Sequence, residues 1–266
     1  MPSDNPRPIA TPAFTVPQEF QGTHRLSPHT DDAFFFARYL SQLDWMRDVL
    51  EVSGFQSCRH VVDVGAHVGG WTWPLSSWCE QVTALDIDPV AVDLGARFAR
   101  QHGLQNVRFL LNTPEHLASL PLADGMLCLM LFQILPPGGV HRVFSLAHRL
   151  LRPRGLLLCN SATPWLVLKW LLTGARLRAD GWRYQAVWAR DVLRGLLMRQ
   201  VRPERAYYCL KPSALIHLAG TAGFRLVRSP ADFRKIPAVR AIEDSKSGRS
   251  PLGFRHYHWY LFERGL

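Results

Sequence analysis

The chain has 266 residues, of which 47% are hydrophobic and 20% are charged, a balance that suits one large globular domain. Its polar, proline-rich start, MPSDNPRPIATP, does not resemble a secretory signal, and no apolar run reaches the roughly 18 residues of a membrane span. The net charge of +10 comes mostly from arginine, so composition leaves nucleic acid, a membrane surface or an acidic ligand open as partners.

The five cysteines lie far apart in the sequence and include no CxxC pair. A disulfide framework is therefore not expected, and we predict a cytoplasmic protein. We interpret the cysteines as small core residues rather than as nucleophiles. They are Cys58, Cys79, Cys128, Cys159 and Cys209.

In chain order, residues 1–28 show no periodicity and predict a loose arm. A helix is expected next, with Thr30 or Asp31 as its N-cap and its end at Gly54. Its apolar stripe consists of Phe35, Tyr39, Leu43, Met46 and Leu50.

Strands and helices then alternate, a pattern typical of βαβ units and a parallel sheet. The predicted strands are HVVDVG (60–65), VTALDID (82–88), NVRFLL (106–111), MLCLMLF (126–132) and GLLLCN (155–160). The predicted helices follow Gly69, run from Pro89 to Gly103, and cover 140–151. Ligands on such sheets bind at the carboxyl ends of the strands.

The alternation breaks at residues 164–210, which look helical and are rich in Trp, Arg and Tyr. The arginines there are scattered among apolar residues, so we favour a solvated helix face over a polyanion-binding patch. A helix within 213–224 leads into the strand FRLVRS, and a long polar connection, 230–255, precedes the last strand, HYHWYLFE (256–263).

Two features of the first two strands predict a nucleotide site. The first strand ends in the glycine-containing loop from Asp63 to Gly70, where the backbone can approach a ligand closely. The second strand ends in Asp86, whose carboxylate can accept both ribose hydroxyls of an adenosine cofactor. The loop alone does not distinguish an NAD site, a SAM site or an empty turn.

Five segments in order resemble the class I S-adenosylmethionine (SAM)-dependent methyltransferases of the small-molecule type. DVGAHVGG resembles the pattern D-x-G-x-G-x-G, and LDIDP resembles the second motif. The other three are FLLNTPEHL with PLADGMLCLMLF, HRLLRPRGLLL, and KPSALIHLAGTAGFRLV. An NAD loop would also favour glycine at position 67, where this chain has His67.

The resemblance implies an α/β fold: a Rossmann-like, seven-stranded, mostly parallel sheet with helices on both faces, an antiparallel last strand and a helical lid after strand five. It divides the chain into an N-terminal arm and lid helix, 1–54, and a SAM-binding domain, 55–266, with the insertion 164–210. The implied cofactor is SAM.

The resemblance also implies which residues surround SAM. Asp63, Gly65, Ala66, His67 and Gly69 would lie around the methionine part, and Asp86 would bind the ribose. Ile87 would pack on the adenine, and Asn112 and Thr113 would contact its amino group. Phe132 and Gln133 would lie beside the sulfonium.

The chain departs from the family pattern at three positions. His67 replaces the middle glycine, and we expect its ring to pack or cap, or to bind the SAM carboxylate. Thr113 and Cys128 stand where the family commonly has Asp.

The acceptor side is predicted less sharply. The arm, residues 34–39 and the insertion would close over the substrate, with an aromatic pocket formed by Trp165, Trp170, Trp182, Tyr184, Trp188, Tyr207 and Tyr208. Nominees for a general base are Tyr184, Tyr207 and His256. We expect no metal site, because the pair His256 and His258 has no apparent third ligand.

Three functions remain open on the sequence. The first is methyl transfer from SAM to an oxygen, nitrogen or carboxylate of a small, fairly apolar metabolite, as in secondary metabolism. The second is a SAM cyclase that forms azetidine-2-carboxylate and methylthioadenosine. The third is a protein of this fold that binds RNA or an anionic surface through its arginines, which the absence of an added RNA-binding domain disfavours. The oligomeric state is not predicted.

Overall fold

The structure is a computed structural model, and it describes residues 40, 42–132, 135, 137–163, 211–237, 239 and 257–266. Seven strands are present in these residues: β1 (His60–Val64), β2 (Gln81–Asp86), β3 (Val107–Leu111), β4 (Ala123–Cys128), β5 (Leu151–Ala162), β6 (Phe224–Arg228) and β7 (Tyr257–Arg264). The helices are α1 (Leu43–Val52), α2 (Thr72–Leu75), α3 (Pro89–Gln101), α4 (Pro114–Ala118), α5 (Pro137–Leu150), α6 (Pro212–Thr221) and α7 (Pro230–Lys235).

The strands form one sheet in the order β3-β2-β1-β4-β5-β7-β6. Strands β1 to β5 pair in parallel, and β7 lies antiparallel between β5 and β6. The first strand, β1, lies at the centre of the sheet, and β2 and β3 follow on one side of it. The chain then crosses to the other side of β1, where β4 lies. The carboxyl ends of β1 and β4 therefore flank a switch point, where ligands bind in open α/β sheets. The predicted α/β, mostly parallel, seven-stranded fold is confirmed.

Helices cover both faces of the sheet, so alternate residues of one strand enter different cores. On β5, Leu158 packs in a cluster with Trp45 and Met46 of α1. Its neighbour Leu157 packs in the opposite cluster with Phe144 of α5. This coverage explains why the central strands read as nearly continuous apolar runs.

The fourth strand lies three residues earlier at its start and four residues earlier at its end than the sequence indicated, at Ala123–Cys128 instead of 126–132. Gly125, within the early part of this strand, packs closely on Phe55, since a Cβ there would lie only 2.8 Å from the ring. Met130, two residues after the strand ends, adopts a left-handed φ of 60°. Apolar periodicity cannot choose between these registers, because both contain a buried run.

The N-terminal helix does not run unbroken through the predicted stripe. Gln42 has φ −123° and ψ 6°, outside the helical region, so α1 begins at Leu43. Leu43, Met46 and Leu50 are buried as the stripe predicts, whereas Phe35 and Tyr39 lie outside the described residues.

Two further helices differ from expectation. The helix after Gly69 is a single turn, α2, whose end is satisfied when the Ser76 and Ser77 hydroxyls donate to the carbonyls of Trp73 and Pro74. The connection 230–255 begins with α7. A capping box of Ser229 and Asp232 starts this helix, a signal that the sequence carried.

Candidate cofactor site

The loop after β1 is held against the end of β2 by backbone hydrogen bonds. The N–H groups of Gly65 and Ala66 both donate to the carbonyl of Leu85, at 2.8 and 3.1 Å. Gly65 and Gly69 have φ values of 74° and 94°, which side-chain-bearing residues rarely adopt. These two glycines are therefore required for the turn that brings backbone to the edge of the sheet.

His67 adopts the same left-handed region, with φ 53°, although it has a side chain. Its backbone N–H donates to Oδ2 of Asp86 at 2.7 Å. A hydrogen bond to an ionised carboxylate is stronger than one between neutral groups, so Asp86 offsets the backbone strain at His67. The loop can therefore carry His67 where the family pattern has glycine.

Asp86 ends β2 and points its carboxylate at two backbone amides. Oδ1 accepts the N–H of Asp88 at 3.0 Å, and Oδ2 accepts that of His67. A carboxylate has about four acceptor positions, so roughly two remain for the hydroxyls of a ribose. The next residue, Ile87, leaves 81% of its surface exposed. An exposed isoleucine beside a carboxylate provides an apolar surface for a flat ring such as adenine.

Asp63, on β1, is buried and only 3% exposed. Its Oδ2 accepts a 2.7 Å hydrogen bond from the hydroxyl of Thr72, the first residue of α2. Burial raises the pKa of Asp63 to about 7, and the charge of Asp86 adds to this rise while Thr72 opposes it. Burial therefore disfavours the charged form of this carboxyl, and a cation bound beside it would favour the ionised form.

Asn112 and Thr113 follow β3 and lie on the far side of β2. The N–H of Asn112 donates to the backbone carbonyl of Asp86 at 2.8 Å, which brings the β3 turn beside the ribose-binding position. Thr113 is the N-cap of α4, where its hydroxyl accepts the N–H of His116 at 3.4 Å. The side chain that replaces the family Asp thus has a helix-capping role.

The segment after β4 meets the glycine loop from the other side of the switch point. Leu131 lies against Gly65, with two methyl carbons 3.5 Å from the position that a Cβ would take. Phe132 is fully buried, and its ring packs on Phe144 with the centroids 5.5 Å apart. Any contact of Phe132 with a cofactor would therefore involve its backbone. Gln133 lies outside the described residues.

The acceptor-side predictions fall outside the described residues. Tyr184, Tyr207 and His256 belong to this group, as do the insertion 164–210 and the arm. These assignments and the domain boundaries stay predictions.

Cys128, at the position of the second missing Asp, is fully buried, and burial with the nearby Asp63 raises its pKa well above the usual range. Such a thiol packs as a small apolar residue.

Sequence reasoning missed Thr72 and Asn160. Thr72 holds Asp63, and a hydroxyl residue just after a glycine loop was the available signal. Asn160, buried on β5, accepts the backbone N–H of Met130 through Oδ1 at 2.6 Å. A single amide in the apolar run GLLLCN was the only sign of its role.

The residues present fit SAM as judged by the chemistry of the site. The loop after β1 has two glycines in left-handed conformations, Asp86 keeps free acceptor positions, and Ile87 offers an exposed apolar surface. A buried carboxyl, Asp63, complements a positively charged ligand. Together these features suit an adenosine cofactor with a cationic amino-acid end.

Comparisons with known proteins agree with this site. Residues 61–155 match the family model described as a methyltransferase domain. No curated protein sequence matches the chain. The match over residues 61–155 and the fold together support a class I SAM-dependent methyltransferase domain, a family that uses SAM as its cofactor.

Several solved structures share the fold at low sequence identity. The magnesium protoporphyrin IX methyltransferase of Synechocystis PCC 6803 with bound SAM has a TM-score of 0.51 and 16% identity, over 87% of this chain and 82% of that one. An O-methyltransferase family protein from Burkholderia thailandensis has a TM-score of 0.51 and 15% identity, over 87% and 60% of the two chains. The mitomycin 7-O-methyltransferase MmcR has a TM-score of 0.52 and 16% identity, over 88% and 57%.

Among the helices that the structure describes, none combines the length and the hydropathy that a bilayer span requires.

Proposed function

We propose that this chain transfers the methyl group of SAM to an oxygen, a nitrogen or a carboxylate of a small, fairly apolar metabolite. The observation that carries the proposal is the arrangement of Asp86, the exposed Ile87 and the glycine loop at the switch point of the sheet. The proteins of similar fold include methyltransferases whose names specify small molecules, magnesium protoporphyrin IX and mitomycin.

The chain's own residues would act by binding and orientation. Asp86 would accept the ribose hydroxyls, and Ile87 would cover one face of the adenine. The loop from Gly65 to Gly69 would bring backbone to the amino-acid end, with Asp63 behind it. When bound, SAM supplies a methyl group activated by the adjacent sulfonium, so the protein needs mainly to align the acceptor and exclude water.

Titration with S-adenosylhomocysteine (SAH) tests the cofactor assignment directly. We expect Asp86→Asn to weaken SAH binding by roughly 10- to 100-fold, because a charge-assisted hydrogen bond contributes about 1.5–3 kcal/mol. Asp88→Asn is the matched control: it removes the same charge two residues away and keeps a good N-cap for α3, where Asp88 accepts the N–H of Val90. Equal SAH affinity in the two variants would contradict the assignment.

The reaction itself is tested by incubating the protein with SAM and analysing the small molecules by mass spectrometry. Methyl transfer is supported if SAM stays intact without an acceptor and SAH forms only when a small acid, phenol or amine is added. Methylthioadenosine and azetidine-2-carboxylate formed from SAM alone would instead identify a cyclase and overturn the proposal.

A further inference from the structure

Met130 departs from ordinary backbone geometry just after β4. Its φ of 60° lies in the left-handed region, although methionine has a full side chain and none of the local hydrogen-bonding capacity that favours Asn or Asp there. Such a conformation persists only where the surrounding structure holds it. The group that holds Met130 comes from the neighbouring strand.

That group is the side chain of Asn160 on β5, which is 1% exposed. Its Oδ1 accepts the N–H of Met130 at 2.6 Å, across 30 residues of sequence. Its Nδ2 is buried and has no hydrogen-bond partner among the residues that the structure describes. An unpaired buried donor destabilises a fold, and leucine would occupy a similar volume without one. The amide at position 160 therefore stabilises the turn at Met130 through Oδ1 and at the same time buries an unpaired Nδ2 donor.

The turn at Met130 determines where Leu131 lies. Leu131 packs against Gly65, the first glycine of the cofactor loop, with two methyl carbons 3.5 Å from the position of a Cβ there. A continuous path of contacts thus runs from Asn160 through the backbone of Met130 and the side chain of Leu131 to the cofactor loop.

We propose that Asn160 is a positioning residue of the cofactor site. Its Oδ1 holds Met130 in the left-handed turn that sets Leu131 against Gly65, and the site is deformed when this hydrogen bond is lost. The inference rests on the proposed function, because it uses the cofactor product SAH as its probe.

The next residue on the same strand provides a matched control. Ser161 is also 1% exposed, and its hydroxyl is also buried, with no hydrogen-bond partner in the described part of the chain. Because side chains alternate along a strand, Ser161 faces the opposite side of the sheet, where its cross-strand partner is His258. It faces away from Asn160 and its hydrogen bond to Met130, so Ser161→Ala changes a buried polar group while keeping that hydrogen bond.

The first test compares SAH affinity with thermal stability in Asn160→Leu and Ser161→Ala. We expect Asn160→Leu to bind SAH about tenfold more weakly or worse, because small misplacements in such sites are costly. Its unfolding temperature should change little, because the loss of the unpaired Nδ2 donor and the loss of the acceptor for the Met130 N–H act in opposite directions. A merely structural role would lower stability and leave the affinity of the folded fraction intact. Ser161→Ala should keep the wild-type affinity.

The second test asks whether the turn transmits the effect. Glycine adopts a positive φ readily, so Met130→Gly should restore part of the SAH affinity when added to Asn160→Leu. Asn160→Asp should bind SAH nearly as the wild type does, because either protonation state keeps an oxygen for the Met130 N–H. This variant keeps the test decisive if Asn160→Leu does not fold.

The outcomes separate this inference from the proposed function. A wild-type chain without measurable affinity for SAH overturns the proposed function, and this inference with it. A wild-type chain that binds SAH while Asn160→Leu binds equally well overturns this inference alone. Affinity lost in Asn160→Leu and not regained with Met130→Gly also overturns it, because the turn would then not be the element through which Asn160 acts.

Discussion

The pKa of Asp63 makes a quantitative prediction about stability. In the folded chain this pKa is about 7, against an ordinary value of 3.8, because the carboxyl is buried. The folded state therefore binds the proton more tightly than the unfolded state does. The free energy of unfolding therefore decreases as the pH rises from about 3.8 to about 7. Over this range the carboxyl ionises freely in the unfolded chain, whereas in the folded chain it must either stay protonated or ionise while buried.

The perturbation that isolates this effect is Asp63→Asn, which keeps the shape and removes the titration. The difference between 3.8 and about 7 corresponds to about 4 kcal/mol at pH values above 7. Between pH 5 and pH 8, the stability of the wild type relative to Asp63→Asn should fall by roughly 2–3 kcal/mol. Titrating groups that do not interact with Asp63 contribute equally to both proteins and cancel in this difference.

The assay is urea unfolding of both proteins, without cofactor, at several pH values from 5 to 8. The midpoint of the wild type should move downward relative to that of Asp63→Asn as the pH rises, while the slopes of the transitions stay alike. A constant difference between the two proteins over this range would refute the reasoning. It would mean that Asp63 is already ionised at pH 5, with a partner or solvent contact that lowers its pKa.

Two further predictions concern Ile87, which follows β2, and Gly69, which lies in the glycine loop after β1. Ile87→Ser should weaken SAH binding by about 1–2 kcal/mol without reducing the unfolding temperature, because Ile87 is 81% exposed and its contribution is to the ligand. Leu122→Ser, at an exposed apolar residue beyond the amino end of β4, is the control and should leave calorimetric SAH titrations unchanged. Gly69→Ala should destabilise the fold by about 2 kcal/mol or more, because φ is 94° and the new Cβ would lie 2.6 Å from Phe109. Gly103→Ala shares the positive φ, but its new Cβ would have no atom of the described residues within 4 Å. A denaturation midpoint as low as that of Gly69→Ala would therefore contradict the role given to the clash.

Much of the fold was accessible from sequence because it depends on local patterns. Short apolar runs, separated by helical segments, predicted the strands. Pro89 and Gly103 predicted the two ends of α3. The cofactor loop and Asp86 were accessible for the same reason, since each lies at the end of a strand. Their separation of about one βαβ repeat places them side by side in a parallel sheet.

What was not accessible depends on contacts between distant segments. The turn at Met130, two residues after β4 ends, is hydrogen-bonded to Asn160, a side chain 30 residues further along, and neither Met130 nor its neighbours carry a turn signal. Within the early part of β4, Gly125 packs closely on Phe55, 70 residues earlier in the sequence. Tertiary contacts of this kind override apolar periodicity, so a sequence pattern alone places such a strand only to within a few residues.

His67 shows how one carboxylate can serve both the loop and the ligand. The imidazole-bearing residue takes a left-handed backbone that glycine would take without strain, and Asp86 accepts its N–H at 2.7 Å. The group assigned to the ribose therefore also stabilises the loop around the methionine part. Loss of the charge in Asp86→Asn should consequently weaken both contacts at once. In a variant that also carries His67→Gly, the loop no longer needs this support, and the remaining loss of SAH affinity measures the ribose contact alone.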